Sequence, residues 1–89
     1  MASKWVKLSG GDRGGMVAEV TNPAKDISPA GEFNVGEGAV VERYRLVEQP
    51  NIFNEMQPLV EKCSFVPFEG GEPVIVEAQH AIYIGKARG

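Results

Sequence analysis

The chain contains one histidine and one cysteine, the side chains most used in acid–base and nucleophilic chemistry. His80 falls within an alternating apolar segment, where each unpaired ring nitrogen would cost roughly 1–3 kcal/mol. A histidine bonded within the sheet is one interpretation. A pocket base or pH-sensitive contact, with Tyr83 and Cys63 as neighbours, is the other. Cys63 precedes the apolar Phe65 and Val66 and is typical of a buried structural thiol.

A single histidine and a single cysteine cannot complete a metal coordination set, and for the same reason we expect no catalytic triad. Cys63 and His80 would form a dyad only if folding brought them together. We therefore predict no metal site, no cofactor and no catalytic residue, and the sequence favours a non-enzymatic protein. A pocket or enzyme centred on His80 stays open as an alternative.

A glycine-rich segment, residues 10–15, reads Gly-Gly-Asp-Arg-Gly-Gly. A phosphate loop needs such flexible backbone before a helix, together with a Gly-Lys-Ser/Thr ending. Here the following residues are strand-like and that ending is missing. The segment favours a hairpin loop over a nucleotide site, and Arg13 within it is a candidate binding residue.

Two further features indicate binding surfaces. Arg43, Tyr44 and Arg45 alternate cations with an aromatic ring, as in sites that hold single-stranded nucleic acid, but nearby acids would repel phosphate. A solvated strand face with cross-strand ion pairs is the favoured interpretation. Because arginine and tyrosine are also enriched in protein interfaces, this segment is the preferred contact patch after the edge strands. Trp5 is either a core plug or, if exposed, an interface residue.

The charge and hydropathy patterns limit the classes of partner. The net charge is -3, which argues against broad nucleic-acid binding. Residues 26–61 carry seven acids against two arginines, whereas residues 1–25 carry four cations against two acids, so copies could attract each other. No apolar run approaches 18 residues and the first residues lack the apolar core of a secretory signal. We expect a cytoplasmic protein without membrane contact.

The first half of the chain reads as short strands. Residues 4–9 and 16–21 flank the glycine-rich loop and predict a hairpin. Two prolines make residues 22–31 a loop, and residues 32–35 fit a short edge strand. Residues 39–48 are rich in β-branched and aromatic side chains and predict a strand, although a helix of about ten residues is an alternative.

Residues 51–63 carry the helical pattern. Asn51 can cap a first turn, and Ile52, Phe53, Met56 and other apolar residues recur at spacings of three and four. Pro58 interrupts the pattern, because a proline clashes in a helix interior. The sequence therefore predicts either one short helix beginning near Gln57 or two turns that meet at a kink.

Residues 73–85 alternate most regularly. The even-numbered positions from Val74 to Ile84 are apolar except for His80, which predicts a long half-buried strand with those side chains inward. A hairpin near residues 78–79 is the alternative, because the run is long for one strand. Residues 86–89 are expected to form a frayed tail.

Together these patterns predict one small α+β domain over residues 1–89, mostly antiparallel sheet with one short helix around residues 51–63. A small open barrel is the alternative. The function that fits is a protein-interaction or assembly module, acting through a surface patch or edge strands and able to self-associate. An accessory or mobile-element protein is the expected type. A small nucleic-acid binder and a pocket centred on His80 are the alternatives.

Overall fold

The computed structural model describes residues 3–37 and 40–86 of the chain. Strands dominate these ranges, and helix is limited to a single turn. In chain order the elements are β1 Lys4–Ser9, β2 Val17–Val20, α1 Pro23–Asp26, β3 Glu32–Glu37, β4 Val40–Leu46, β5 Glu48–Pro50, β6 Met56–Pro58, β7 Val60–Phe65 and β8 Val74–Lys86.

Five strands form the main sheet in the order β2-β1-β8-β4-β3, and β7 also pairs with β8. Strands β1 and β8 run parallel, and the other described pairs are antiparallel. The sheet curls into an open half-barrel. The prediction of a mostly antiparallel sheet is confirmed, in a form close to the open-barrel alternative, and helix contributes little.

The inner face of the half-barrel holds the main core. Strand alternation directs Val6 and Leu8 inward and their neighbours Trp5 and Lys7 outward. The same face continues across the paired residues of β8, β4 and β3. Its fully buried apolar members are Val6, Leu8, Phe33, Tyr44 and Ala81, with Ala18, Val20, Ile27, Val35, Leu46 and Tyr83 packed at the margin.

The predicted helix over residues 51–63 is wrong. That segment forms the turn after β5, strand β6 and most of β7. The signals used for the helix suit a hairpin equally well, because an asparagine side chain accepts backbone N–H groups in either structure. Helix is found instead at Pro23–Asp26, within the predicted loop 22–31, where proline is compatible with a first helical turn.

Strand β8 is continuous over 13 residues, so the hairpin alternative near residues 78–79 is wrong. The predicted inward set is correct for Ala78, which is fully buried, but wrong further along: Ile82 is 46% exposed, whereas Ala81 is buried and Tyr83 packs on the core. The reason is a change of neighbours. Residues 74–79 pair with β7 and residues 81–86 with β4, and the covered face switches between them.

The remaining predictions of local structure are largely confirmed. Strands β1 and β2 form the predicted hairpin around the glycine-rich loop, and β3 lies at an edge of the sheet as predicted. Of the predicted tail, Lys86 belongs to β8, while residues 87–89 lie outside the described residues. In the described ranges, no helix has the length and apolar character needed to cross a membrane.

Candidate interaction surface

Residues 48–58 form a two-stranded hairpin, β5 and β6, that projects from the half-barrel; we call it the arm. Its strands pair with each other and belong to no other sheet. Backbone bonds fix its root: Val47 N–H donates to the His80 carbonyl, His80 N–H to Leu59, and Leu59 N–H to Val47. The buried Gln79 side chain adds a 3.0 Å bond to the Val47 carbonyl. The arm therefore leaves the sheet at a defined point.

The turn at the end of the arm is tightly bonded. The Asn51 side-chain oxygen accepts the N–H groups of Phe53 at 2.8 Å and Glu55 at 3.0 Å. The Asn51 carbonyl accepts the Asn54 N–H, and Asn54 has φ of 60°. These are the features of a three-residue hairpin loop, in which asparagine tolerates the left-handed conformation. The turn holds residues 52–54 in one conformation.

This turn displays apolar side chains to solvent. Ile52 is 91% exposed, Phe53 is 74% exposed, and Met56 beside them is also exposed. Each would be worth roughly 1.5–3 kcal/mol if buried. Scattered exposed apolar residues are ordinary, whereas two on a hydrogen-bonded turn and a third in the strand that follows make a candidate interaction surface. We call Ile52, Phe53 and Met56 the arm tip.

Prolines limit how the arm can pair with other strands. Pro50 and Pro58 oppose Met56 and Glu48, in pairs that alternate with the hydrogen-bonded ones. An N–H at either proline position would point away from the arm, so each outer edge lacks a donor there. Such edges are poor templates for strand addition. The edges of the arm are therefore poorly suited to pairing with another strand.

The candidate cations Arg43 and Arg45 lie on the outer face of the sheet. Arg43 Nε and an Arg45 guanidinium nitrogen each contact a Glu32 carboxylate oxygen at 2.8 Å. Hydrogen bonds from Arg45 and Arg43 lower the pKa of Glu32 below its usual value. Tyr44 lies on the opposite face and is fully buried, so these three residues do not share one surface. Nucleic-acid binding by the arginines stays a prediction, without Tyr44 as a stacking platform.

Arg13, Tyr44 and Tyr83 instead meet around Glu42, a buried carboxylate of β4. Arg13 contacts Glu42 Oε1 at 3.1 Å, and the Tyr44 hydroxyl donates to the Gly10 carbonyl at 2.8 Å and lies 3.3 Å from the same Oε1. The rings of Tyr44 and Tyr83 pack edge to face. This cluster fastens the glycine-rich loop over one end of the core, which is a structural role.

Hydrogen bonds stabilise the negative charge of Glu42 in this cluster. Burial raises the pKa of Glu42, but bonds from the Asp12 amide, Arg13 and Tyr44 outweigh it, so the pKa lies below its usual value. Burial and the adjacent Glu42 charge raise the pKa of Tyr44. Glu42 is therefore ionised and Tyr44 protonated at neutral pH.

His80 and Cys63 both contact Glu61. His80 Nε2 lies 3.1 Å from Glu61 Oε1, and Cys63 Sγ lies 3.8 Å from the same oxygen. The Glu61 carboxylate therefore contacts both the thiol and the imidazole. His80 faces away from Tyr83, because the two side chains lie on opposite sides of β8. Among the described residues, no group of three His, Cys, Asp or Glu side chains is arranged to hold a metal ion.

Trp5 is half-buried on the outer face of β1. Its ring packs on Phe65 of β7 with a centroid distance of 4.9 Å. Cys63 lies on the same face of β7 as Phe65 and is buried beside Val76. Trp5 therefore joins the β7–β8 ribbon to the half-barrel.

The arm tip is the surface that the sequence prediction missed. Ile52, Phe53 and Met56 were assigned to a buried helical stripe, and all three are exposed. The signal that could have identified it is Asn51 with Asn54, since asparagine favours both the start of a type I turn and a left-handed residue after it.

Comparison of the chain with family models, with curated proteins and with solved structures gives no match.

Proposed function

We propose that the protein is an interaction module that binds a protein partner through the arm tip. The observation that carries the proposal is the exposure of Ile52 and Phe53 on a turn fixed by Asn51. A rigid loop loses little conformational freedom on binding, so more of the contact energy appears as affinity. On binding, the apolar side chains of the arm tip would be buried against the partner, since the chain's own core does not bury them.

The distribution of apolar residues supports this proposal. Among the described residues, the main core draws on β1, β3, β4 and the second half of β8, and none of its members belongs to the arm. A folded chain gains nothing in stability from exposed large apolar residues, and they raise the risk of aggregation. Contact with another protein explains why a structured element carries them.

The acidic character of the arm indicates the partner's chemistry. The arm, residues 48–58, includes Glu48 and Glu55 and contains no lysine or arginine. Charges at the rim of an interface steer association and exclude partners of like charge. The complementary surface is an apolar area bordered by lysine or arginine side chains.

Photo-crosslinking tests the proposal directly. A benzophenone amino acid replaces Phe53 in one variant and Phe68 in a matched control, because Phe68 is an aromatic residue of similar exposure in the β7–β8 turn. Irradiation in cells that make the protein should give a discrete protein adduct from position 53. Excess wild-type chain should compete it away, and an Ile52→Ser competitor should do so poorly.

Two results would contradict the proposal. Equal adduct patterns from positions 53 and 68 would mean that the arm tip is no more in contact with protein than another exposed aromatic. An adduct that both competitors displace equally would mean that Ile52 contributes nothing to binding.

A further inference from the structure

We infer that the arm tip of one copy docks on the outer sheet face of a second copy, around Ile82. This inference rests on the proposed function and names both its partner and the receiving surface. Ile82 is a large apolar side chain of β8 and is 46% exposed. It is paired across the sheet with Arg45 on β4 and Ser9 on β1.

Cations surround this isoleucine. Arg45 is its direct neighbour, and Arg43 and Lys7 lie diagonally across the two adjacent strands. Glu32 is shared by the two arginines, so one carboxylate faces two positive charges. Lys7 forms no salt bridge with any described residue. An apolar centre with a net positive border is the complement of the arm tip.

Other receiving surfaces on the chain fit less well. A groove of about 360 Å³ lies between the edge strands β2 and β3, with Phe33 at its base, but Glu19 and Asp26 line it. These carboxylates would oppose Glu48 and Glu55 of an incoming arm. Two arms packed against each other would bring four carboxylates together for the same reason. Charge therefore selects the face around Ile82.

The contact joins two different surfaces. Each copy has one arm and one receiving face, so a bound pair still offers a free arm at one end and a free face at the other. Such heterologous contacts continue into a ring where the rotation closes and into a filament where it does not. The inference is therefore one of assembly beyond a dimer.

The area available makes each contact weak. At roughly 150 Å² for a large apolar side chain, the three residues of the arm tip offer roughly 400 Å², about half of what one partner buries in a standard interface. We expect the assembly to dissociate when the chain is diluted to micromolar concentrations, and to weaken clearly as the salt concentration increases. Closure into a ring would strengthen assembly, because each added copy then makes two contacts.

Sedimentation velocity of the purified chain over a concentration series measures the assembly. Wild-type chain should sediment progressively faster as concentration rises. Phe53→Ser removes the arm tip and Ile82→Asp the receiving face, and each should weaken association about tenfold or more. Phe68→Ser is the control and should associate like wild type. Circular dichroism confirms that each variant is folded, and Lys7→Glu replaces Ile82→Asp if that variant is not.

Mixing the two variants gives the sharpest result. Phe53→Ser keeps a receiving face and Ile82→Asp keeps an arm, so an equimolar mixture should form one-to-one complexes that grow no further. Each variant alone should stay monomeric at the same concentration. Contact between two arms predicts instead that Ile82→Asp assembles normally and that mixing restores nothing.

The inference is overturned by wild-type chain that stays monomeric up to about 1 mM, where even weak specific contacts form. It is also overturned by a mixture of variants that forms no complex. The proposed function fails separately, through the crosslinking result. An adduct from position 53 with a different protein supports that function while the contact between copies is rejected.

Discussion

Replacing Phe53 with serine should hardly change the stability of the isolated chain. A phenylalanine that is fully buried gains about 1.5–3 kcal/mol, and Phe53 is 74% exposed, so about a quarter of that is present. The expected loss in the free energy of unfolding is therefore about 0.5 kcal/mol. Urea denaturation followed by circular dichroism measures it, at a concentration low enough to keep the chain monomeric.

The matched control is Phe33, which is 2% exposed in the main core. Phe33→Leu should lower the free energy of unfolding by about 1–2 kcal/mol, because a buried side chain loses volume and contacts. A loss above about 2 kcal/mol for Phe53→Ser would refute the reasoning, since truncation of a packed phenylalanine costs about 3–5 kcal/mol. Phe53 would then be part of a core, as the helical stripe implied.

Three further predictions concern the scaffold that holds the arm. Glu42 has a lowered pKa in the folded chain, so its ionised form stabilises the fold above its usual pKa of 4.5, and that stability is lost as pH falls through the folded-state value. The urea midpoint of Glu42→Gln should therefore change less than that of wild type between about pH 5 and pH 3; equal pH dependence would count against the cluster. Gln79→Leu removes one of the two donors to the Val47 carbonyl at the root of the arm and should cost about 0.5–1.5 kcal/mol, because the Leu59 N–H still bonds to that carbonyl, with the loss of protection from hydrogen exchange greatest in the arm. Gly36→Ala should destabilise the chain more than Gly85→Ala: both glycines have positive φ, but a Cβ at Gly36 meets the Val40 carbonyl and Arg13, whereas at Gly85 it meets open space. Thermal unfolding midpoints of the two variants compare them, and equal shifts would show that only the backbone conformation matters.

Strands were predictable where local alternation and burial agree. In β4, Tyr44 and Glu42 share one face and the arginines share the other, as the alternation required. The hairpin β1–β2 follows from glycine-rich sequence between two alternating segments. In both cases one face meets the core along the whole strand, so the periodicity reports burial directly.

The arm was not predictable because its apolar residues do not pack within the chain. A spacing of three and four indicates a helix on the assumption that apolar residues face one core. Ile52 and Phe53 are consecutive in a turn and Met56 follows it, so their spacing records no buried face. The predicted inward face of β8 is wrong for a related reason. The covered face of this strand changes between Ala78 and Ala81, where the neighbouring strand changes.

The candidate site residues do not lie together on one surface of the structure. The sequence grouped Arg43, Tyr44 and Arg45 because they are adjacent, but adjacent strand residues face opposite sides of a sheet. Arg13 reaches Glu42 across 29 positions of sequence, and only the strand order of the sheet brings them together. Contacts of this range depend on register, which local pattern does not specify.

Oxidation of two methionines in the unmodified chain tests the central claim most directly. Met56 on the arm is 61% exposed and Met16 beside the glycine-rich loop is 54% exposed, so a brief hydroxyl-radical pulse should oxidise them about equally in dilute purified protein. In cells that make the protein, contact through the arm tip should protect Met56 severalfold relative to Met16. An unchanged ratio between the two would contradict the claim that the arm is the surface by which this protein binds.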